Sequence, residues 1–265
     1  MHIAMFGRGH PILLLHGFPQ HWYAWRKLVP LLSDDFRLLC IDLRGFGWSE
    51  QTRDGYSLND LASDVVALID VLELPSVGLV GHDWGAQVGF RVCFAVPERI
   101  DAFVALNMVH PWPQHRQLLP NLWRMWFTAF IEYPVLGRWV LGHWPSFTRY
   151  MLRREVADPG EWHDEDLREF VEATQVSAHA GQSLFWQYVA RDIPNLVCGV
   201  NRRQHLSVPT VLIGSEHDPI MPPGLLTGGE KHADRLGLRI VPGAGHYLNE
   251  ERPELIADAV RGVWG

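Results

Sequence analysis

Cysteine is scarce in this chain: Cys40, Cys93 and Cys198 are an odd number, and no two share a C-x-x-C spacing. That excludes a disulfide scaffold and points to free, mostly buried thiols in a reducing compartment, so a cytoplasmic location is expected. Positive charge is also in deficit. With 23 basic against 30 acidic residues and a net charge of −7, the composition as a whole offers no footprint for nucleic acid or an anionic membrane. Long apolar runs are missing too. The opening MHIAMFGRGHPILLLHG holds only the four apolar residues 12–15 before a glycine turn, too short for a secretory core. The most apolar longer region, 118–141, is interrupted by Arg124, Glu132, Pro134, Gly137 and Arg138, so no membrane span is expected. Internal repeats and low-complexity tracts are absent.

What the chain does have is apolar content, 47% of 265 residues, enough for one substantial core with an insertion. Short aliphatic runs at 12–15, 36–41, 77–80, 103–106, 211–213 and 238–241 alternate with stretches of helical period, the pattern of βαβ units around a parallel sheet. Between two of them, LNDLASDVVALIDVLEL aligns Leu61, Val65, Leu68 and Leu72 on one helix face, with Ser57 and Asp60 placed to cap its start. From Pro111 to His205 the strand signal stops, and the sequence turns helical, proline-punctuated and rich in tryptophan. Such a block between two strand-helix halves predicts a helical cap over a site. After Val208 the rhythm returns, and the chain ends on the amphipathic PELIADAVRGVW. The expected fold is α/β, a mostly parallel sheet with helices on both faces: core over 1–110, helical cap over 111–207, core again over 208–265.

Three loops carry chemistry. SVGLVGHDWGAQVGF runs from a strand through Gly81-His82-Asp83-Trp84-Gly85 into a helix, the context of a G-x-nucleophile-x-G elbow, with aspartate at its centre. Taken alone, the segment also reads as an ordinary βα loop with an aspartate cap. Two further loops argue against coincidence. GSEHDPIMP places Asp218, and GAGHYLNEERPE places His246, at the carboxyl ends of later strands, where functional groups of parallel sheets collect. The order nucleophile, acid, histidine is that of alpha/beta-hydrolases.

With HGFPQHWYAW at 16–25, DLRGFGWSE at 42–50, GHDWG at 81–85, Asp218 and GAGH at 243–246, the chain resembles the alpha/beta-hydrolases, specifically the branch of epoxide hydrolases and haloalkane dehalogenases. The resemblance implies Asp83 as nucleophile, His246 as base, Asp218 as the acid orienting it, and the backbone N–H groups of Phe18 and Trp84 as an oxyanion hole. A carboxylate is anionic at neutral pH and displaces a leaving group at saturated carbon, giving an enzyme ester that a histidine-activated water then hydrolyses. His16 and His82 are expected to shape the neighbouring loops.

The leaving group divides the branch. Epoxide opening calls for cap tyrosines as acids, yet the matching positions hold Phe130 and Phe185, with Tyr133 and Tyr188 three residues further along and Tyr150 as a third candidate. A dehalogenase would pair Trp84 with a second donor, but position 18 is phenylalanine rather than asparagine, which leaves a cap tryptophan such as Trp126 or Trp186. HGFP and NMVHP (107–111) look more like epoxide hydrolases, so the first expectation is hydrolysis of an epoxide to a vicinal diol. Halide release is the alternative, and a non-catalytic ligand-binding member is the third. Phe130, Phe185, Trp186 and Trp126 are the expected pocket residues for a small apolar organic substrate that reacts with water. No metal or cofactor is expected. Similar cores open with a two-strand hairpin, whereas only HIAMF precedes the Pro11 strand. By count a first strand is therefore expected to be absent, and an open edge near residues 2–6 suggests a monomer or weak homodimer.

Overall fold

The computed structural model describes residues 1–265, with side chains at every position but 115 and 197. The elements are β1 (Ile3–Phe6), β2 (His10–Leu15), β3 (Phe36–Ile41), α1 (Leu58–Val71), β4 (Val77–His82), α2 (Trp84–Ala95) and β5 (Ile100–Leu106). The helices α3 (Pro134–His143), α4 (Pro145–Arg154), α5 (Asp164–Val176) and α6 (Ala178–Gln187) follow, and then β6 (Thr210–Ser215), β7 (Leu236–Val241) and α7 (Pro253–Trp264), with shorter helical turns between. Each of the six aliphatic runs lies within a strand.

The seven strands form one sheet in the order β1-β3-β2-β4-β5-β6-β7, parallel throughout except for β1, which pairs antiparallel with β3 from Ile3 opposite Ile41 to Phe6 opposite Leu38. HIAMF thus supplies an edge strand. Burial on both faces explains why the strands read as continuous apolar runs: in β2, Leu13 and Leu15 enter one core cluster while Ile12 and Leu14 enter the other. The crossover helix α1 starts as expected. Ser57 Oγ accepts the Asp60 N–H at 3.2 Å, and the Asp60 carboxylate accepts the Ser57 N–H at 3.1 Å, a reciprocal capping box.

Between β5 and β6 the chain is helical, and this segment and the carboxyl edge of the sheet enclose a cavity of about 400 Å³. No helix is long and apolar enough to cross a membrane. Cys40 and Cys93 are buried and Cys198 is exposed, all three unpaired.

Candidate active site

The sheet places five loops at one edge. β4 ends in Asp83, which adopts φ 50° and ψ −121°, a conformation rarely taken by a residue with a Cβ and one that lifts its carboxylate over the start of α2. The turn closes because its neighbours lack side chains: a Cβ at Gly85 would collide with the Leu15 carbonyl oxygen, and one at Gly17 with Asp83 itself. The loop after β2 delivers the Phe18 N–H to Asp83 Oδ2 at 2.9 Å, and the Trp84 N–H at the start of α2 favours the charged form of the same carboxyl. Asp83 Oδ1 lies 3.9 Å from His246 Nε2.

His246 follows β7. Its Nδ1–H donates to Asp218 Oδ2 at 2.8 Å. Asp218, after β6, accepts the Ile220 and Met221 N–H groups on Oδ1, each at 2.8 Å, and the Asn107 amide on Oδ2 at 2.9 Å. The side chains at 83, 218 and 246, far apart in sequence, therefore form one buried chain of contacts. His82 donates to the His246 carbonyl at 2.8 Å, and His16 Nε2 accepts the Leu43 N–H at 3.0 Å, so both rings brace loops beside the site.

Burial pushes the Asp83 carboxyl up to about 6, against the pull of His246 and the two N–H donors. Burial raises Asp218 as well, but His246 and the converging donors outweigh it and hold the group below the usual carboxylate range. On His246 burial acts downward, yet the carboxylates of Asp218, Asp83 and Glu155 prevail and hold the imidazole at about 10.

Two residues of the site were not anticipated. Asn107, at the end of β5, has φ 47° and ties Asp218 to Ser215, whose hydroxyl accepts from its amide at 2.9 Å. The available signals were its place after a strand and the tolerance of asparagine for positive φ. Glu155, after α4, lines the cavity. Its carbonyl accepts the His246 N–H at 2.6 Å, its Oε2 accepts the Tyr247 hydroxyl at 3.0 Å, and burial pushes its carboxyl up to about 7. Nothing in the local sequence marks it.

The helical segment sorts the aromatic candidates. Phe185 and Tyr188 line the cavity together with Asp83, and both pack edge-on against Trp84, at 5.1 and 4.9 Å between ring centroids. Burial raises the Tyr188 hydroxyl to about 12. Tyr133 and Tyr150 do not line it, being 60% and 48% exposed. Tyr133 falls between a helical turn (Ala129–Glu132) and α3, with φ −72° and ψ 128°, because the residue before Pro134 is driven out of the helical region. The three-residue displacement that keeps a side chain on one helix face fails where the helix breaks. Phe130, Trp126 and Trp186 are also outside the cavity lining and exposed. Trp186 follows Phe185 on α6 and so points to another face. Leu122, Met125, Phe127, Met151, Ile220 and Met221 supply apolar wall that the sequence reading did not name. Among the described residues, no cluster of histidine, cysteine and carboxylate could hold a metal ion.

Comparison with known proteins agrees with this architecture. The soluble epoxide hydrolase of Corynebacterium sp. (strain C12) is 26% identical over 268 residues, spanning 97% of this chain and 91% of that protein. The ligand-free structure of epoxide hydrolase CorEH superimposes with a TM-score of 0.85 at 24% identity, covering 99% of this chain and 97% of that one. Wild-type Cfl2 from Burkholderia cenocepacia gives 0.83 at 27%, covering 98% and 90%. A family profile described as alpha/beta hydrolase fold matches residues 10–253. With that match over nearly all of its length, the chain belongs to the alpha/beta hydrolase fold family and is a hydrolase-family enzyme.

Proposed function

We propose that this enzyme hydrolyses epoxides to vicinal diols through an ester on Asp83, with the helical segment over 111–207 as the cap of the site. The observation carrying this reading is the Asp83 carboxylate at the elbow, with Oδ2 held by the Phe18 backbone N–H and Oδ1 facing His246. Oδ1 attacks an epoxide carbon, and the C–O bond breaks toward oxygen. Tyr188, a phenol and so protonated at neutral pH, donates the proton that oxygen needs.

Esterification removes the upward pull of the Asp83 carboxylate on His246, which favours the neutral imidazole that the second step needs as its base. His246 takes a proton from water, which adds to the Asp83 carbonyl carbon. The Phe18 and Trp84 N–H groups meet the developing oxyanion; collapse breaks the ester C–O bond, the His246 imidazolium returns its proton to the departing alkoxide, and the regenerated Asp83 carboxyl gives its proton back to the Tyr188 phenolate as the diol leaves. Asp218, braced by Asn107 and two backbone N–H groups, holds the imidazole in position. Epoxide is preferred to halide because Tyr188 lines the cavity with Asp83, whereas neither Trp126 nor Trp186 is there to join Trp84 around a halide. The names of the relatives point the same way.

A single turnover in heavy-oxygen water is the test. Label is expected in the Asp83 carboxylate, because water attacks the ester carbonyl. His246→Gln should accumulate one substrate adduct per chain in intact-mass spectra, and Asp83→Asn should form none. Label confined to the diol would overturn the covalent route.

A further inference from the structure

Exposed apolar surface is unevenly spread over this protein. Among the described residues, eleven of nineteen large hydrophobic side chains open to solvent fall within residues 119–150, Trp123, Val135, Trp139 and Trp144 among them. Exposed apolar residues are ordinarily scattered singly, and a concentration of this kind marks an interaction surface. Part of it is continuous: Trp126 meets Phe130 edge-on at 6.1 Å, Phe130 meets Phe147 at 6.1 Å, and Phe147 meets Trp144 at 5.6 Å.

Charge is inverted too, modestly within residues 119–150, where three arginines face one carboxylate for a net +2, and more strongly over the wider stretch around them. Residues 111–154 carry six arginines and one carboxylate, Glu132, a net +5 in a chain whose total is −7. Arg153 and Arg154 approach Asp164 and Glu155 at 3.2 and 3.9 Å. Arg116, Arg124, Arg138 and Arg149 form no ion pair among the described residues, and the Arg124 guanidinium lies 5.1 Å from the Trp123 ring centre. A second copy of this chain is a poor occupant, since a two-fold dimer would press two positive surfaces together.

We propose that the 119–150 face docks onto an anionic lipid surface, its tryptophans and aliphatic side chains at the headgroup boundary and its arginines on the headgroup phosphates. Amphipathic rings beside cations are the composition that membrane interfaces select. Leu119 and Leu122 are exposed on this face and also line the cavity, so docking turns the cavity mouth toward the acyl chains. The substrate class is then an apolar epoxide dissolved in the lipid. That consequence rests on the proposed chemistry, whereas docking does not.

The experiment is co-sedimentation with vesicles of phosphatidylcholine alone or mixed with phosphatidylglycerol. Binding to the anionic vesicles is expected, with a blue shift of tryptophan emission and a loss as salt rises. Arg124→Glu with Arg149→Glu should weaken it on the order of tenfold or more, from the usual contribution of a basic residue at a charged membrane. Trp123→Ser with Trp144→Ser should remove the blue shift while near-ultraviolet dichroism elsewhere and turnover of a water-soluble substrate persist. Asp83→Asn should bind vesicles like the wild type, which separates failure of docking from failure of the chemistry. Equal binding to both vesicle types, no binding, or a dimer in sedimentation velocity that the tryptophan variant dissociates would overturn the proposal.

Discussion

Asp83, Tyr188 and Glu155 share one cavity and differ in what burial does for them. Burial favours the neutral form of each, yet Asp83 receives backbone donors and a cationic partner that support its charge, while Tyr188 receives none that matter at neutral pH. Tyr188→Phe should therefore slow epoxide opening on the order of a hundredfold, read as the rate of adduct formation in a single turnover. An unchanged rate would remove Tyr188 from the mechanism. Glu155 faces His246, Tyr247, Arg154 and Asp218, and its Oε1 has no hydrogen-bond partner among the described residues. Its pKa, about 7 when folded against an ordinary 4.5, means that its favourable contribution is complete below about 4.5 and is lost as pH rises through 7. Glu155→Gln has no such loss. Its melting temperature relative to wild type should rise between pH 4.5 and 7 and level off above, and a difference that does not vary with pH would refute the assignment.

Elements show where local rules hold and where they fail. The helix α1 behaves as an isolated amphipathic segment would, with its cap made from its own residues. Ser57→Ala should cost about 1 kcal/mol, a melting shift of roughly 2–4 °C for a chain of this size, measured by calorimetry. A shift above about three times that would mean the serine does more than cap. After α6 the backbone passes into a π-helical turn (Tyr188–Asp192), and Tyr188, at its first position, still shares the cavity face with Phe185 three residues earlier. Tyr133 sits at the same offset from Phe130 but lies across a proline break, and it leaves the face. The helix continues through Tyr188 and breaks at Tyr133.

At the scale of the whole molecule, the inserted helices and the core are joined by a buried ion network. The Arg26 guanidinium grips Glu250 through both nitrogens, at 2.7 and 2.9 Å, and reaches Asp166 on α5 at 2.6 Å. Removing the arginine leaves a buried carboxylate with Lys27 at 3.4 Å and the Gln20 amide at 3.3 Å as its remaining side-chain partners among the described residues. Arg26→Ala should cost about 3–5 kcal/mol in denaturant unfolding, and adding Glu250→Gln should recover part of it. Additive losses would show that the two groups are not coupled. The edge strand β1 is only four residues long and presents Met5 outward, so pairing between chains through it should be weak. A stable dimer at micromolar concentration would need another interface.

Much of this protein is determined by local pattern. Five of the six aliphatic runs lie in strands largely buried on both faces, and the sixth, 238–241, lies in the edge strand β7, where Arg239 is exposed. The elbow at 81–85 was legible because a tight strand-to-helix turn demands glycines at defined places, and the loops bearing Asp218 and His246 because they follow strands whose carboxyl ends must share one edge. What tertiary structure alone decided lies where partners are distant. Glu155 reaches the His246 loop across 91 positions of chain, and Asn107 reaches Asp218 across 111. The presence of Tyr188 in the cavity lining, and the absence of Tyr133, Tyr150, Trp126 and Trp186 from it, depend on where each helix starts, breaks and leans. Composition summed over the chain likewise hid the positive aromatic face, because the carboxylates that outweigh its arginines lie elsewhere on the molecule. Spacing along a chain encodes local conformation, whereas proximity between distant side chains is set by how the packed elements meet.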